Sequence, residues 1–562
     1  MSFLVQQAQA QIQQAILDAA AAAFAAGEIS VVPAAPFTLE TPADRRNGDL
    51  SSNAAMAWAR ELRSAPRKIA EAIVSRIDLS NTYALRCEAA GAGFLNFYYG
   101  DAYYAAVVAD VLEKGEAYGR SDAGVGQRVL VEFVSANPTG PMHMGNARGG
   151  ALGDCLATVL EAAGYVAERE FYVNDGGNQI EKFGLSLDVR YQQHFGKDIA
   201  LPEDAYHGAD ITQRAAEFAQ AHGGAYLEKS EQERRAALVA FALPLNVEAI
   251  RANLERYRIQ YDTWFYESAL YQSGEVDRVI ALLKDSGKTF EQDGALWFRA
   301  KDYGLDKDFV IVRSNGFPTY IVPDIAYHYN KLVTRGFDKS ILVLGSDHHG
   351  HTIRLKAVLE AIGIGEGRAE FVLTQLVKLV QGGEVVRMSK RTGKSITLED
   401  LLDDIPIDAL RFLFNMRDPV SAMDFDLDLA VEQSAQNPVY YCQYAHARVC
   451  SIFRRFAEEG IEPRACTQEE LCLLSTPEER ELIRLLAALT GEIAEAARAY
   501  DPARVTRCCM ELAGQFHKFY NACRVKGEEE SLLQARLSLC ACVRDVLANL
   551  LKMFKIEAPE RM

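Results

Sequence analysis

Long apolar runs are missing from this chain of 562 residues. No stretch of about 18 consecutive apolar residues occurs, which argues against a transmembrane helix. The segment 1–27 is rich in alanine, but it lacks the basic leading region of a targeting peptide and it contains Asp18. An amphipathic helix of the mature fold is the better interpretation of this segment. We therefore expect a cytoplasmic protein without a membrane partner.

Paired cysteine motifs are missing as well. The chain has 11 cysteines, most of them after residue 440, and none has the Cys-x-x-Cys spacing of a zinc or redox site. Internal repeats and low-complexity tracts are also lacking. We expect reduced, mostly buried cysteines in helices, and no protein-bound metal.

The sequence also lacks an excess of positive charge. Lysine and arginine number 60 against 77 aspartates and glutamates, which gives a net charge of −17. Phosphate binding depends on lysine and arginine, so the whole-chain average argues against a nucleic-acid partner. From Arg448 onward, however, about 17 basic residues accompany about 18 acidic ones. An RNA partner for this near-neutral tail is therefore permitted but not required.

The hydrophobic pattern divides the chain into four regions. Region 1–120 reads as a small α/β module. Region 121–400 opens with a strand, a glycine-rich loop, a helix and a second strand, which is typical of a Rossmann-like parallel sheet. A polar, helical segment at about 185–300 is expected to be inserted between halves of that sheet, whose strands resume in "DFVIVRS", "TYIVPD" and "SILVLGSD". A connecting helical segment, 401–437, leads to an all-helical domain, 438–562.

The stretch "VLVEFVSANPTGPMHMGN" predicts a strand, a turn and a helix that begins near His143. In parallel sheets, ligands sit beyond the carboxyl ends of the strands, where a helix N-terminus offers N–H groups to anions. Gly140 and Gly145 allow close backbone approach, while His143 and Asn146 supply neutral donors on one helical face. The alternative is a helix cap with a satisfied histidine.

A second segment with a candidate role is "VRMSKRTGKSITLEDLL". Arg387, Lys390, Arg391 and Lys394 crowd a loop that precedes a helix, which Thr397 is expected to cap. Cations beside a phosphate site suit a reaction that expels pyrophosphate, because charge accumulates on the leaving oxygens. Taken alone, the segment could also be an ordinary solvated loop.

Together the two segments resemble the two signatures of class I aminoacyl-tRNA synthetases. Longer motifs resemble the arginyl-tRNA synthetases over nearly the whole chain: "VEFVSANPTGPMHMGN", "YVNDGGNQI", "RSNGFPTYIVPDIAYH", "LGSDHHGH", "NPVYYCQYAHAR" and the terminal "APERM". The resemblance implies an enzyme that activates L-arginine with ATP and transfers it to the terminal ribose of tRNA(Arg). It further implies an N-terminal domain that touches the tRNA elbow, a C-terminal anticodon-binding domain, and Mg²⁺ only as the ion that ATP carries. A monomer is expected.

The resemblance also implies roles for the two signatures. His143, Asn146 and Lys390 are the expected catalytic residues. Asn146 stands where a histidine is often present, and it keeps a hydrogen-bond donor; Arg387 stands where a lysine is common, and it keeps a charge. The residues expected to bind ATP are Pro138, Gly140, His143, Gly145, Asn146, His348, Met388, Ser389 and Lys390.

Recognition of an arginine side chain calls for paired carboxylates, because a guanidinium has five donors in a rigid plane. Glu132 and Asp324 are the acids expected at strand ends of the pocket. Glu132 on a solvent-facing strand surface and Asp324 as a helix N-cap are the alternatives. With the resemblance, the expected arginine-binding residues are Glu132, Ser135, Asn137, His143, Tyr320, Asp324 and Asp347.

The histidines of "SDHHGH" have a spacing that also occurs among metal ligands, but a third convergent ligand is lacking. In the helical tail, Tyr441, Tyr444 and Arg448 lie on one helical face. Such residues are either core residues or platforms that stack unpaired RNA bases. The resemblance implies the second role, and the expected tRNA-binding residues are Asn53, Tyr441, Tyr444, Arg448 and Met562.

Two other hypotheses remain open from the sequence. One is a different class I ligase or nucleotidylyltransferase of the same fold, with another amino acid or acceptor. The other is a catalytically silent RNA-binding paralogue. The presence of both His143 and Lys390 argues against a silent protein, since a simple RNA binder has no chemical need of both.

Overall fold

A computed structural model of the protein describes residues 3–386 and 396–562. Its N-terminal part is a four-stranded antiparallel sheet, in the order β1-β2-β4-β3, with helices packed against it. The elements are α1 Phe3–Ala25, β1 Leu39–Glu40, β2 Leu50–Ser52, α2 Ala54–Leu62, α3 Pro66–Val74, β3 Ala84–Ala90, β4 Phe94–Tyr99 and α4 Asp101–Lys114. This small α/β module has the character expected for the first region.

The central part holds the parallel sheet. Its elements are β5 Arg128–Glu132, α5 Gly145–Ala162, β6 Val166–Val173, α6 Gly177–His194, α7 Ala209–His222, α8 Glu231–Arg256, β7 Thr263–Tyr266, α9 Ser268–Gln272, α10 Glu275–Asp285, β8 Thr289–Gln292, β9 Ala295–Phe298, β10 Phe309–Val312, α11 Ile321–Tyr329, β11 Lys339–Gly345, α12 His349–Ala361, β12 Ala369–Thr374, β13 Val377–Gln381 and β14 Glu384–Val386.

Five parallel strands form this sheet in the order β12-β11-β5-β6-β7. The chain winds outward from β5 in one direction through β6 and β7, and later in the other direction through β11 and β12. The carboxyl end of β5 is therefore a topological switch point, where open parallel sheets bind their ligands. This confirms the predicted Rossmann-like core and explains why a loop rich in glycine and proline follows β5.

Helix α5 packs tightly over the end of β5. A Cβ atom on Gly153 would lie 2.2 Å from the Phe133 ring, so only glycine lets the helix approach this closely. The helix is buried along nearly its full length, and it carries the second half of the first signature on its first turn. The position of that signature is thus fixed by the core.

The expected insertion is more complex than the helical segment that its polarity predicted. Helices α6, α7 and α8 pack against one another, but β7 within this segment is the edge strand of the parallel sheet. Strands β8, β9 and β10 form a separate antiparallel sheet, which takes up the predicted strand "DFVIVRS". The prediction that this strand belongs to the parallel sheet is therefore wrong.

The predicted strand "TYIVPD" is wrong as well. The segment starts helix α11 at Ile321. Pro323 is tolerated in its first turn, because the N–H groups of the first turn have no acceptor within the helix and the missing N–H of proline costs no hydrogen bond there. Residues 321–323 are buried, as are Ile325 to His328. A short apolar run cannot be assigned to a strand or a helix by periodicity alone. Here the packing of the folded protein selects a helix that is buried on most of its surface.

Helix α8 is long and apolar enough by composition to cross a membrane. It nevertheless packs against α6 and α7 and starts with a capping box, in which Ser230 accepts from the Glu233 N–H. Pro244 lies inside it. These contacts are those of a helix in a folded domain.

The remaining elements are α13 Leu398–Asp404, α14 Ile407–Phe414, β15 Met423–Asp426, α15 Leu427–Val431, α16 Pro438–Glu458, α17 Gln468–Leu471, α18 Pro477–Ala499, α19 Ala503–Ala522 and α20 Glu530–Met553. The region from 438 onward is all helical, as predicted. The connecting segment is not entirely helical, because β15 pairs in parallel with β13 and joins the sheet β14-β13-β15.

A buried carboxylate joins the central and C-terminal parts. Asp154 of α5 is fully buried and accepts from Arg169 Nε at 3.0 Å and from Lys555 Nζ at 2.7 Å. Arg411 of α14, which is also fully buried, donates to the other carboxylate oxygen. Four separate stretches of the chain therefore meet at one acid.

Candidate active site

Glu132 ends β5 and is buried, with a relative exposure of 4%. Its Oε2 lies 2.5 Å from Lys331 Nζ, and its Oε1 accepts a hydrogen bond from Ser135 Oγ at 3.0 Å. Burial raises the pKa of Glu132 above its ordinary value, and the ammonium group of Lys331 opposes this shift. The alternative of a solvent-facing Glu132 is wrong, because its side chain is buried and pairs with the fully buried Lys331.

The backbone just after β5 is strained. Val134 has φ of 68° and Ser135 has φ of 40°, a region that β-branched residues rarely adopt. Ser135 holds this turn with its hydroxyl, which donates to Glu132 and accepts from the Tyr172 N–H at 3.1 Å. Strain of this kind persists where the surrounding structure fixes it, often at functional sites.

The hydroxyl of Tyr172 is buried in the neighbourhood of three carboxylates. Burial and the nearby Glu267, Asp324 and Glu132 together raise the pKa of that hydroxyl. Burial also raises the pKa of Glu267, the Tyr172 hydroxyl lowers it, and Asp324 and Asp175 raise it further. We call the group formed by Glu132, Glu267, Asp324 and Tyr172 the acidic recess. Its chemistry suits a cationic group that donates several hydrogen bonds.

Asp324 lies in the first turn of α11, at the fourth helical residue. It is therefore not the N-cap of a helix, since the cap position belongs to Tyr320. The Asp324 carboxylate lies 2.8 Å from His351 Nε2. The ring of Tyr320 is 5.7 Å from that of His351, and the Tyr320 side chain is largely exposed beside Arg354, whose Nη1 lies 3.3 Å from the tyrosine oxygen.

The first signature loop presents His143 to solvent. Its Nδ1 accepts from the Gly145 N–H at 3.1 Å, so the neutral ring carries its proton on Nε2, where it can be donated outward. Asn146 N–H and Ala147 N–H are bonded to the His143 and Met144 carbonyls. The first N–H groups of α5 are thus used within the turn, unlike the free N–H groups that we expected. The helix dipole and the side chains remain available to an anion.

The two signatures are physically joined. Met144 N–H donates to the Ile396 carbonyl at 3.0 Å, and Leu398 N–H donates to the Met142 carbonyl at 3.0 Å, so that His143 and Thr397 form an antiparallel bridge. Thr397 caps α13 as predicted, in a capping box with Asp400. Predicted residues Met388, Ser389 and Lys390, with Arg387, Arg391 and Lys394, lie outside the described residues.

Arg148 of α5 holds the small sheet β14-β13-β15, whose strands β13 and β14 precede the second signature in the chain. Its guanidinium is 1% exposed and donates to the carbonyls of Gln375, Asp418 and Ser421 at 2.9 to 3.0 Å. These carbonyls belong to the turns that precede β13 and β15. The small sheet that leads into the second signature is therefore anchored to the helix that carries the first.

The insertion covers one side of the first signature loop. Asn246 Nδ2 of α8 donates to the Pro138 carbonyl at 3.0 Å, and a Cβ on Gly140 would lie 3.4 Å from Asp210 Oδ2 of α7. Pro138 is buried, whereas Asn137 is exposed.

Asp347 and His348 follow β11 directly, in the short turn Ser346–His348. Their side chains are largely exposed, and His348 Nε2 lies 3.6 Å from Asp347 Oδ2. Because β11 is hydrogen-bonded to β5, this turn stands at the switch point next to the recess.

The helical part carries an aromatic and basic surface on α16 and α19. Tyr441 and Tyr444 lie 5.1 and 6.1 Å from the ring of His517, and Arg448 stacks over Tyr520 at 4.2 Å. Tyr444 is 41% exposed, so this is not a pure core face. The sequence did not identify His517 and Tyr520 as candidates, because the only pattern in helix α19 is the helical spacing of its apolar residues.

Met562 is brought to the same helix, α16, by the C-terminal tail. Gln443 and His446 contact the carbonyls of Glu557 and Pro559. Met562 is half exposed and lines a cavity of about 450 Å³ with Tyr440 and Gln443.

Asn53, at the other end of the chain, precedes α2, and its amide oxygen accepts from the Thr38 N–H at 2.8 Å. This hydrogen bond ties Asn53 to the loop before β1.

Comparisons with protein-family models identify the class of protein to which this fold belongs. Three family models match: "Arginyl tRNA synthetase N terminal domain" over residues 6–99, "tRNA synthetases class I (R), catalytic domain" over 107–451 and "DALR anticodon binding domain" over 442–562. The parallel sheet with its two joined signatures and the helical C-terminal part are thus those of a class I aminoacyl-tRNA synthetase.

Similar sequences and solved structures identify the family within class I to which the chain belongs. The chain is 50% identical over 562 residues to the arginine–tRNA ligase of Caldanaerobacter subterraneus subsp. tengcongensis and 49% identical over 564 residues to that of Acetivibrio thermocellus, with each chain covered completely. The protein belongs to the arginyl-tRNA synthetase family. A putative arginyl-tRNA synthetase structure from Campylobacter jejuni, 30% identical, superposes with a TM-score of 0.73 over 82% of this chain and 100% of its own. The Thermus thermophilus arginyl-tRNA synthetase, at 23% identity, shares the fold with a TM-score of 0.73, over 98% of this chain and 100% of its own.

Proposed function

We propose that the protein joins L-arginine to tRNA(Arg) in two steps at the switch point after β5. In the first step, a carboxylate oxygen of arginine attacks the α-phosphorus of ATP, the bond to the β-phosphate oxygen breaks, and pyrophosphate leaves. In the second step, the 2′-hydroxyl of the tRNA terminal ribose attacks the carbonyl carbon, and AMP leaves. Neither step needs a protein nucleophile, so positioning and electrostatic stabilisation supply the catalysis.

The acidic recess is the observation that carries this proposal. Glu132, at the end of the central strand, and the acids Asp324 and Glu267 lie near the buried hydroxyl of Tyr172 on β6. A guanidinium is the amino-acid side chain that matches several carboxylates with planar donors. We assign the arginine side chain to Glu132, Asp324 and Tyr320. Its α-amino and carboxylate groups are assigned to Ser135, Asn137, His143 and Asp347.

ATP is assigned to the first signature loop and its surroundings. His143 Nε2 and the Asn146 amide donate to phosphate oxygens, while Pro138, Gly140 and Gly145 shape the loop and His348 borders the adenosine. Met388, Ser389 and Lys390 complete the set from the second signature, with Lys390 stabilising the charge of the departing pyrophosphate. Their roles rest on the sequence motif. Mg²⁺ accompanies ATP as part of the substrate complex.

For tRNA we propose contacts at both ends of the molecule. Tyr441, Tyr444, Arg448 and Met562 take the anticodon, where exposed aromatics beside an arginine suit unpaired bases. Asn53 contacts the elbow. We further propose a cytoplasmic monomer with functional domains at 1–120, 121–400, 401–437 and 438–562.

A charging panel tests the proposed function. The protein is incubated with ATP, total tRNA and each of the twenty amino acids in turn, and acylated tRNA is measured. We expect arginine alone to give charged tRNA. Charging with a different amino acid would support the other class I ligase, and no charging with any of them would support the silent RNA-binding paralogue. RNA is present throughout, because activation can require it.

The bridge between the signatures gives a second test. Thr397→Ala removes the hydroxyl that accepts from the Asp400 N–H at 3.1 Å, so we expect a loss of about 1 kcal/mol in the free energy of unfolding. Because the backbone of 396–398 is hydrogen-bonded on both sides of His143, loosening this cap should also displace His143, and kcat for aminoacylation should fall by about tenfold. Urea denaturation and steady-state charging measure the two effects.

Thr467→Ala is the matched control for this substitution. Thr467 forms the same kind of capping box, with Glu470 on α17, far along the chain from either signature. It should cost a similar free energy of unfolding and leave kcat unchanged. An equal fall of kcat in both variants would show that the loss at Thr397 reflects general destabilisation.

A further inference from the structure

Lys331 is a fully buried lysine that belongs to none of the binding groups assigned above. It sits in the π-helical turn Asn330–Thr334, which continues α11 beyond Asp324. Its Nζ lies 2.5 Å from Glu132 Oε2 and 3.7 Å from the ring centre of Tyr327. The π-helical turn thus ends the helix that carries Asp324. Such turns are rare in proteins, and those that occur are often at functional sites.

The turn is held so that Lys331 keeps this position. Asn330 Nδ2 and Thr334 Oγ1 both donate to the carboxylate of Glu275, at 2.8 and 2.7 Å. Arg368 donates to the Leu332 carbonyl at 2.7 Å. Contacts on both sides of Lys331 thus anchor its backbone, and its ammonium group is directed at Glu132.

Glu132 has a particular need of this cation. It lies directly beside Glu170 in the register of β5 and β6, so two buried acids are neighbours. Glu170 has its own partners, Arg335 at 2.6 Å and the Tyr327 hydroxyl at 2.5 Å. Within residues 3–386 and 396–562, Lys331 is the cation that forms an ion pair with Glu132.

We propose that Lys331 is a positioning residue for arginine, which acts by keeping Glu132 ionised as an acceptor for the substrate guanidinium. The inference rests on the proposed function of the acidic recess. An ionised carboxylate has about four acceptor sites. Ser135 and Lys331 use two of them, so the remaining two can accept guanidinium N–H groups.

Without Lys331, Glu132 would be a buried acid beside Glu170 with no cation. Burial and the like charge then favour the protonated form. A protonated carboxyl group presents a donor to a ligand that itself has only donors. The loss should therefore appear in the KM for arginine at neutral pH and diminish as the pH rises.

Three tyrosines and one histidine that lie near Glu132 and Lys331 stay in one form across this range. Burial, with the nearby acids, raises the pKa of the Tyr172, Tyr261 and Tyr327 hydroxyls well above neutrality, and burial, with Lys331, lowers the pKa of His328 to about 3. Glu170 and Arg335 are paired with each other. Glu267, Asp324 and the His351 that pairs with Asp324 are common to the wild type and the variant, so the pH dependence of the ratio between them reports on Glu132.

The test compares Lys331→Met, Lys331→Arg, Glu132→Gln and the double variant Lys331→Met/Glu132→Gln with the wild type. The KM for arginine is measured by tRNA charging between pH 6.5 and 8.5, and each variant is expressed as a ratio to the wild type, which cancels the titration of the substrate amino group. Lys356→Met on α12, where the lysine pairs with Glu370 at the surface, is the control.

We expect Lys331→Met to raise the KM ratio at least about tenfold at pH 6.5, and the ratio to fall by up to tenfold per pH unit as Glu132 ionises. The KM for ATP should not change, and Lys331→Arg should restore most of the arginine affinity. In the Glu132→Gln background, loss of Lys331 should add little to the KM. Lys356→Met should match the wild type at every pH.

A ratio that does not depend on pH, or equal increases in the KM for arginine and for ATP, would overturn the inference. If Lys331→Met does not fold, Lys331→Gln carries the same test, since it keeps a donor but not the charge. Failure of the wild type to charge tRNA with arginine would instead refute the proposed function, so the two failures are distinguishable.

Discussion

Replacing Asp324 with asparagine should lower kcat/KM for arginine by about 10²-fold and leave the KM for ATP within about twofold. The substitution keeps the shape of the side chain but removes one of the charges that face the proposed guanidinium position. Loss of one member of a desolvated, hydrogen-bonded charge pair leaves the other charge uncompensated. The measurement is steady-state charging of tRNA with arginine and ATP varied separately.

Glu360→Gln serves as the control for this prediction. Glu360 is an exposed acid on α12, the helix that also carries His351. The substitution Glu360→Gln therefore removes the same charge outside the recess. It should leave both constants unchanged. If Glu360→Gln and Asp324→Asn had the same effect, the long-range charge of the protein, rather than contact with arginine, would explain the loss.

Asp154→Asn should destabilise the protein by about 3–5 kcal/mol, because it leaves three cations around a site without a countercharge. Arg411 is fully buried, so water cannot replace its lost carboxylate partner, whereas Arg169, 11% exposed, keeps Glu161 at 2.6 Å. Lys555 would also lose its partner, which connects the C-terminal part to α5. Urea denaturation followed by tryptophan fluorescence measures the loss.

The pH dependence of this loss has a definite sign. Burial raises the pKa of Asp154, but Arg411, Lys555 and Arg169 outweigh burial and hold it below the ordinary value of 3.8. A carboxylate whose pKa is lower in the folded than in the unfolded protein stabilises the fold at any pH above the unfolded-state pKa. That stabilisation is lost as the pH falls through the folded-state pKa. The difference between wild type and Asp154→Asn should therefore be full at pH 7 and shrink below about pH 3.8.

Asp403→Asn is the surface counterpart of this test. Asp403 pairs with Arg256 at 2.8 Å with both side chains about two-fifths exposed, and such pairs contribute at most about 1 kcal/mol. A loss at Asp154 no larger than that at Asp403 would contradict the idea that the buried acid joins the two parts of the protein.

Local chemistry made the central fold predictable. The apolar strand β5, the breakers after it and the small residues of α5 each favour one local structure, and these preferences agree. The helix cap at Thr397 was predictable for the same reason, although its capping box with Asp400 was not predicted. "TYIVPD" was not, because its apolar residues suit a strand or a buried helix equally well, and tertiary packing decided between them.

The candidate site was predictable only where its residues carry a motif. Glu132 and Asp324 were found because a guanidinium requires acids, but Lys331, His351 and Glu267 were missed. Lys331 is separated from Glu132 by 199 positions. It reaches Glu132 through a π-helical turn that periodicity does not signal. His351 lies within "SDHHGH", where metal spacing drew attention instead of its contact with Asp324.

The most direct test of the central claim, that the acidic recess selects a guanidinium, is the ratio of kcat/KM for arginine and citrulline in tRNA charging. Citrulline has nearly the same shape, but a neutral urea group replaces the guanidinium. The account predicts that arginine is preferred by about 10⁴-fold, since the neutral analogue cannot supply the positive charge that the acids of the recess are proposed to bind. Comparable charging with citrulline would contradict it.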